Sequence, residues 1–205
     1  MEIAILISVM ITTVIVGISV AFKSIKPKIG DIEINKEELT DNLAHYLSEL
    51  FEEKQLFRNI EIPNAHGELV NIEILVVHNN GVYIFEPQQY KGVVYGGCGD
   101  TDWGCRLDKE STPVVIKNPT TKTYQKNTHI KQYLDIHNKY IYSYAIYSDE
   151  ATVNAYGRTR IKIKNFSDFK NTFRGDMSVN NKNADFKEHF MQKTLEKLNL
   201  LLKPV

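Results

Sequence analysis

The chain has 205 residues, with Lys plus Arg and Asp plus Glu both at 25 and a hydrophobic fraction of 42%. Balanced charge argues for no particular partner, and the length suggests one domain or at most two. No period of about 20 to 50 residues repeats, which argues against a solenoid.

The first element departs most from this average. Ile3 to Phe22 is a run of 20 residues without a charge, about 30 Å as a helix, the thickness of a bilayer's hydrocarbon core. It predicts a transmembrane helix rather than a core helix, because soluble helices of this length keep a polar face. A cleaved signal peptide is the competing reading, since Ser19-Val20-Ala21 offers small residues. Against it, Met1-Glu2 carries no positive charge and the apolar run is long. Lys23, Lys26 and Lys28 follow the run and only Glu2 precedes it. That asymmetry predicts a single-pass cell-membrane protein with a cytoplasmic C-terminal domain. Pro27 and Gly30 mark the linker, so residues 1–29 are read as anchor and linker and 30–205 as the globular domain.

Asn35 to Glu53 reads as a helix, with Leu39, Leu43, Leu47 and Leu50 at helical spacing and Asn35 as cap. Phe57–Ile62 alternates as a short strand. Leu69–His78 and Val82–Glu86 form two strands around the turn signal Asn79-Asn80-Gly81. Gly92–Tyr95 is a further short strand, Gly96–Gly104 a loop or tight hairpin, and Thr112–Ile116 extended. Thr121 to Asn138 turns helical. Lys139–Ser148 and Arg160–Lys164 read as strands, Ser167–Phe173 as a short helix capped by Ser167, and Ala184–Leu202 as the last helix. The order predicts an α/β (α+β) domain, a mixed central sheet flanked by helices.

Cys98 and Cys105 lie in the Gly-rich stretch GGCGDTDWGC. Two cysteines do not make a paired zinc framework. With a cytoplasmic domain they read as reduced thiols, and a disulfide would require an oxidising compartment.

The chemistry concentrates in NIEILVVHNNGVYIFEPQQYKG, residues 71–92. Glu73 interrupts the first apolar strand, while Glu86 and Gln88 end the second, two apart and on one face. A hairpin brings neighbouring strands to about 5 Å, so Glu73 and the Glu86/Gln88 pair converge in this reading. Two carboxylates in an apolar sheet require neutralisation. Mg²⁺ or Mn²⁺ is the natural cation, since Mg²⁺ takes one or two carboxylates plus phosphate oxygens. The bland alternative leaves both glutamates in water.

This stretch resembles the core of the nuclease-related domain (NERD) family, a branch of the PD-(D/E)XK nuclease superfamily. Gly81-Val82-Tyr83-Ile84-Phe85-Glu86-Pro87-Gln88-Gln89-Tyr90-Lys91-Gly92 follows the family's Gly-Ile-Phe-Val-Ile-Glu-x-Lys-Asn-Tyr-x-Gly. Val94-Tyr95-Gly96, Trp103, Asn118-Pro119 with Gln125 and His129, and Ile146-Tyr147-Ser148 with Ala151-Thr152 extend the likeness over roughly residues 35–170. The resemblance implies a restriction-endonuclease-like fold and Mg²⁺-dependent DNA cleavage, with Glu73, Glu86 and Gln88 as catalytic residues and Glu73 and Glu86 as metal ligands. Two positions depart from the pattern. The family's strand aspartate is Glu73 here, and its catalytic lysine is Gln88. Asp41 is a loose counterpart of the family's acidic residue on the first helix.

Lys91, Lys122, Gln125, Lys126 and His129 are the candidate nucleic-acid contacts, beside a run of lysines between residues 114 and 139 that suits phosphate backbones. The expectation is a membrane-anchored, metal-dependent DNA endonuclease with a degenerate site. The alternatives are a non-catalytic binding module of the same fold, or an unrelated extracytoplasmic domain with a Cys98–Cys105 disulfide.

Overall fold

The computed structural model describes residues 28–64, 67–181 and 188–202. The expected span Ile3–Phe22 lies outside the described residues, and among those described no helix is long and apolar enough to cross a membrane.

The elements run α1 (Lys36–Ser48), β1 (Leu56–Pro63), β2 (Leu69–His78), β3 (Gly81–Pro87), β4 (Gly92–Gly97), β5 (Asp102–Arg106), β6 (Val114–Lys117) and α2 (Pro119–Leu134). They continue as β7 (Ile141–Tyr147), β8 (Ala151–Tyr156), β9 (Lys162–Asn165), α3 (Phe166–Asn181) and α4 (Glu188–Asn199). The main sheet has the order β1-β2-β3-β7-β9, and the smaller one β6-β5-β4-β8. The β1–β2 and β2–β3 pairs are antiparallel, whereas β3–β7 and β7–β9 are parallel. This is the expected mixed sheet flanked by helices.

Helices cover both faces of the main sheet because its central strands are apolar on both. All seven residues of β3 are buried. On one face Leu75, Val77, Val82 and Ile84 pack against Ile130 and Leu134 of α2 and Leu195 and Leu198 of α4. On the other, Tyr83, Phe85 and Tyr144 meet Leu43 and Leu47 of α1 and Phe169 and Phe173 of α3. Each fully buried apolar side chain of this size contributes about 1.5–3 kcal/mol. Two of the phenols are satisfied: Tyr144 Oη donates to Asp176 at 3.1 Å, and Asn180 donates to Tyr83 Oη at 3.3 Å.

Local chemistry sets the helix starts. Asn35 caps α1, its side chain accepting from the Glu37 amide at 3.1 Å, as its sequence position predicts. Asn118 caps α2 by accepting from the Thr120 amide at 2.8 Å, with Pro119 at the first helical position. The helix therefore starts two residues before the expected Thr121. Asn118 also donates to the carbonyl of Asp100 at 2.6 Å, tying α2 to the β4–β5 turn. Ser167 does not cap α3 as expected. The helix begins at Phe166, and Asp149 accepts from the Ser167 amide at 2.9 Å, so the capping carboxylate comes from a distant loop. Cys98 and Cys105 are free; Cys105 is buried and donates its thiol to the Lys91 carbonyl at 3.3 Å, and burial pushes its pKa up to about 11.

One irregularity bears directly on the site. In a flat strand, residues on one face are an even number apart. Here Phe57 and Ile60 enter the same core cluster, as do Ile72 and Leu75. The shift falls where Asn59 adopts a left-handed backbone, φ 48°, midway along β1. Asn59 lies between the pairs Arg58–Ile74 and Ile60–Ile72, which sets it beside Glu73. The β1–β2 ribbon changes face at this point, and Glu73 stands at the change.

Candidate active site

Two clefts, of about 450 and 340 Å³, meet at Asn71 and Glu73. The first runs along α1 and β1, past Lys36, Thr40, Asp41, Arg58 and Asn59. The second runs along α2, past Lys122, Gln125, Lys126 and His129. Because Asn71 and Glu73 line both, the two adjoin as one groove where the β1–β2 ribbon changes face.

The β2–β3 register, with Ile74 opposite Phe85, sets Glu73 opposite Glu86 when continued by one residue. Glu86 itself lines neither cleft and lies buried behind Lys126, which does line the second. Its carboxylate receives the Lys126 ammonium at 2.6 and 2.7 Å, one contact to each oxygen, and the two side chains are only 1% and 7% exposed. Burial raises the Glu86 pKa; Lys126 opposes the shift, and the nearby Glu73 charge adds to it. Burial lowers the pKa of Lys126, against the pull of Glu86. Both groups are thus driven towards neutrality by desolvation, and each opposes that shift in the other. Glu73 has its own lysine: Lys36, from the first turn of α1, reaches it at 2.5 Å.

Gln88 takes no part in this contact. Its side-chain amide donates to the backbone carbonyl of Glu86 at 2.9 Å, folded back on its own strand. Lys91 lies outside the lining of both clefts. Lys122 and Gln125 are exposed on the groove wall, and His129 is half-buried there with its Nδ1 buried and without a partner. Asp41 lines the α1 side, engaged by Arg58.

The groove therefore brings together Glu73, Lys122, Gln125, Lys126 and His129, with Glu86 buried behind it on Lys126, and leaves out Gln88 and Lys91. Sequence reasoning placed Lys126 in the site as a backbone contact but not as the partner of Glu86, which is 40 residues away. A signal was present. Thr123, Lys126, Ile130 and Leu134 share one helical stripe, and all four are buried. A lysine on an apolar stripe calls for a buried acid. Lys36 gave no such signal, being one of several charges at a helix start.

The donors suit a Mg²⁺-type ion in kind, because such an ion is held by one or two carboxylates and completes its shell with water and phosphate. Glu73 and Glu86 supply two. Among the described residues no three His, Cys, Asp or Glu side chains form a cluster. The protein alone would make a partial shell, to be completed by substrate.

The model of the nuclease-related domain matches residues 35–148, from the cap of α1 to the end of β7. The chain belongs to the nuclease-related domain family. The match covers Glu73, Glu86 and Lys126 and more than half of the chain, and it is consistent with the PD-(D/E)XK superfamily. No curated protein and no solved structure matches the chain.

Proposed function

We propose that this nuclease-related domain is a metal-dependent phosphodiester hydrolase acting on DNA, in which Lys126 supplies the cationic group that position 88 lacks. The observation that carries the reading is the Lys126 ammonium held on both oxygens of the buried Glu86 carboxylate, where Lys126 lines a groove with further basic and amide side chains.

Glu73 and Glu86 would hold the ion, which when bound supplies Lewis acidity and an activated water. Lys126 would meet the negative charge that accumulates on a phosphate bound in the groove, and a positioned cation in a water-poor site stabilises that charge more than it would in bulk. Its lowered pKa also brings it closer to a proton-transfer role than a solvated lysine. Lys122, Gln125 and Asn71 stand at the groove wall, suited to orienting the phosphate backbone. Lys36 balances Glu73. The uncharged run of residues 3–22 supports attachment to a membrane, with the domain on its cytoplasmic side.

A specific observation favours a second reading, binding without cleavage. Each carboxylate already has a lysine, so the two pairs cancel and leave no surplus negative charge for a divalent ion. Supercoiled plasmid incubated with the purified chain in Mg²⁺, Mn²⁺ or EDTA separates the two. Nicking in either metal that is lost in EDTA and in Glu86→Gln is the expected result. Salt-dependent DNA binding with no nicking in any metal would establish the second reading.

A further inference from the structure

Behind α2, away from the groove, a cavity of about 300 Å³ opens between that helix, the start of β7 and the β8–β9 loop. Arg158, Thr159 and Arg160 come from the loop, Tyr124 and Asn127 from α2, and Ser143 from β7; no acidic residue lines it. Among the described residues, neither the Arg158 nor the Arg160 side chain has an ion-pair or hydrogen-bond partner. Two unpaired guanidinium groups on one short loop repel each other and present ten donors to whatever enters.

The polar groups between them are ordered from within. Buried Ser143 donates to the Asn127 carbonyl oxygen at 2.7 Å, which fixes the amide and leaves its nitrogen as a donor. Thr159 Oγ1 accepts from the Ile161 amide at 3.1 Å and keeps its own proton to give. The Asn127 amide and the Thr159 hydroxyl both keep protons to give, and donors converging with two arginines match phosphate oxygens. Tyr124 stands at the rim, 65% exposed, with a free ring face for a base. A cavity of this size accepts a nucleotide.

We propose that this cavity is a second phosphate site that takes a nucleotide, through Arg158 and Arg160 on the phosphates and Tyr124 on the base. It does not rest on the hydrolase reading, since it shares no residue with the Glu86–Lys126 pair. The nucleotide comes either free from solution or as part of a single strand laid over α2.

The test is fluorescence polarisation of the full-length chain in EDTA, where cleavage is absent, with a fluorescent ADP analogue and a labelled ten-residue oligothymidylate as the two probes. Saturable binding of at least one probe is expected. Arg158→Ala/Arg160→Ala should weaken it by roughly tenfold or more, with an unchanged melting curve showing that these exposed changes spare the fold. Tyr124→Ala should weaken probe binding while leaving competition by inorganic pyrophosphate as it was. Binding of the nucleotide alone identifies the free form as ligand, and binding of the oligothymidylate identifies the strand. No saturable binding of either probe, or equal affinity in the wild type and the double arginine variant, would overturn the proposal.

Discussion

Lys126 and Glu86 are worth more as a pair than either is alone. Both are almost wholly buried, and removing one charge leaves the other without water or partner, which costs about 3–5 kcal/mol in buried pairs. Lys126→Met and Glu86→Gln should each lower stability by about that much in urea unfolding, and the double variant should recover most of it. Single variants within about 0.5 kcal/mol of wild type would mean that the pair is solvated and open. The sequence made each residue visible in a different way. Glu86 stood out in an apolar strand, and Gln88 stood out against the family pattern. Lys126 was visible as a lysine on an apolar stripe of α2, but its pairing with Glu86 was not, because adjacency of residues 86 and 126 depends on how α2 lies across β3, which no local pattern encodes.

The β1–β2 ribbon shows where reading by element succeeds and where it stops. Its two strands are plain in the sequence, but the change of face at Asn59 and Glu73 is not, since alternation alone assumes a strand that stays flat. Asn tolerates the left-handed region and a β-branched residue does not. Asn59→Val should therefore cost about 1–2 kcal/mol and weaken any activity through Glu73, whereas Asn59→Gly should be close to neutral. Equal melting temperatures for Asn59→Val and Asn59→Gly would show that the backbone there is not held left-handed. β8 was missed for a related reason. Ala151–Tyr156 is largely exposed and short, and it is a strand because it lies parallel to β4, a pairing between residues far apart in sequence.

At the scale of the molecule, the helix–sheet–helix layering follows from strands apolar on both faces, and the order of elements was legible almost throughout. The proposal of membrane attachment rests on the sequence of residues 3–22. The full chain should sediment with membranes and resist extraction by high salt; recovery in the salt wash would argue against a spanning segment. Hydrolysis is the more consequential claim, and it concerns one charge. If the amine at the groove floor is what matters, and not the strand position that carries it, then moving it should preserve function. Single-turnover DNA cleavage in Mn²⁺ should fall by roughly 10² to 10³ in Lys126→Met and return in part when Gln88→Lys is added, because the new lysine comes from two residues beyond Glu86, just past the end of β3. Lys126→Met cleaving as fast as the wild type would contradict the account.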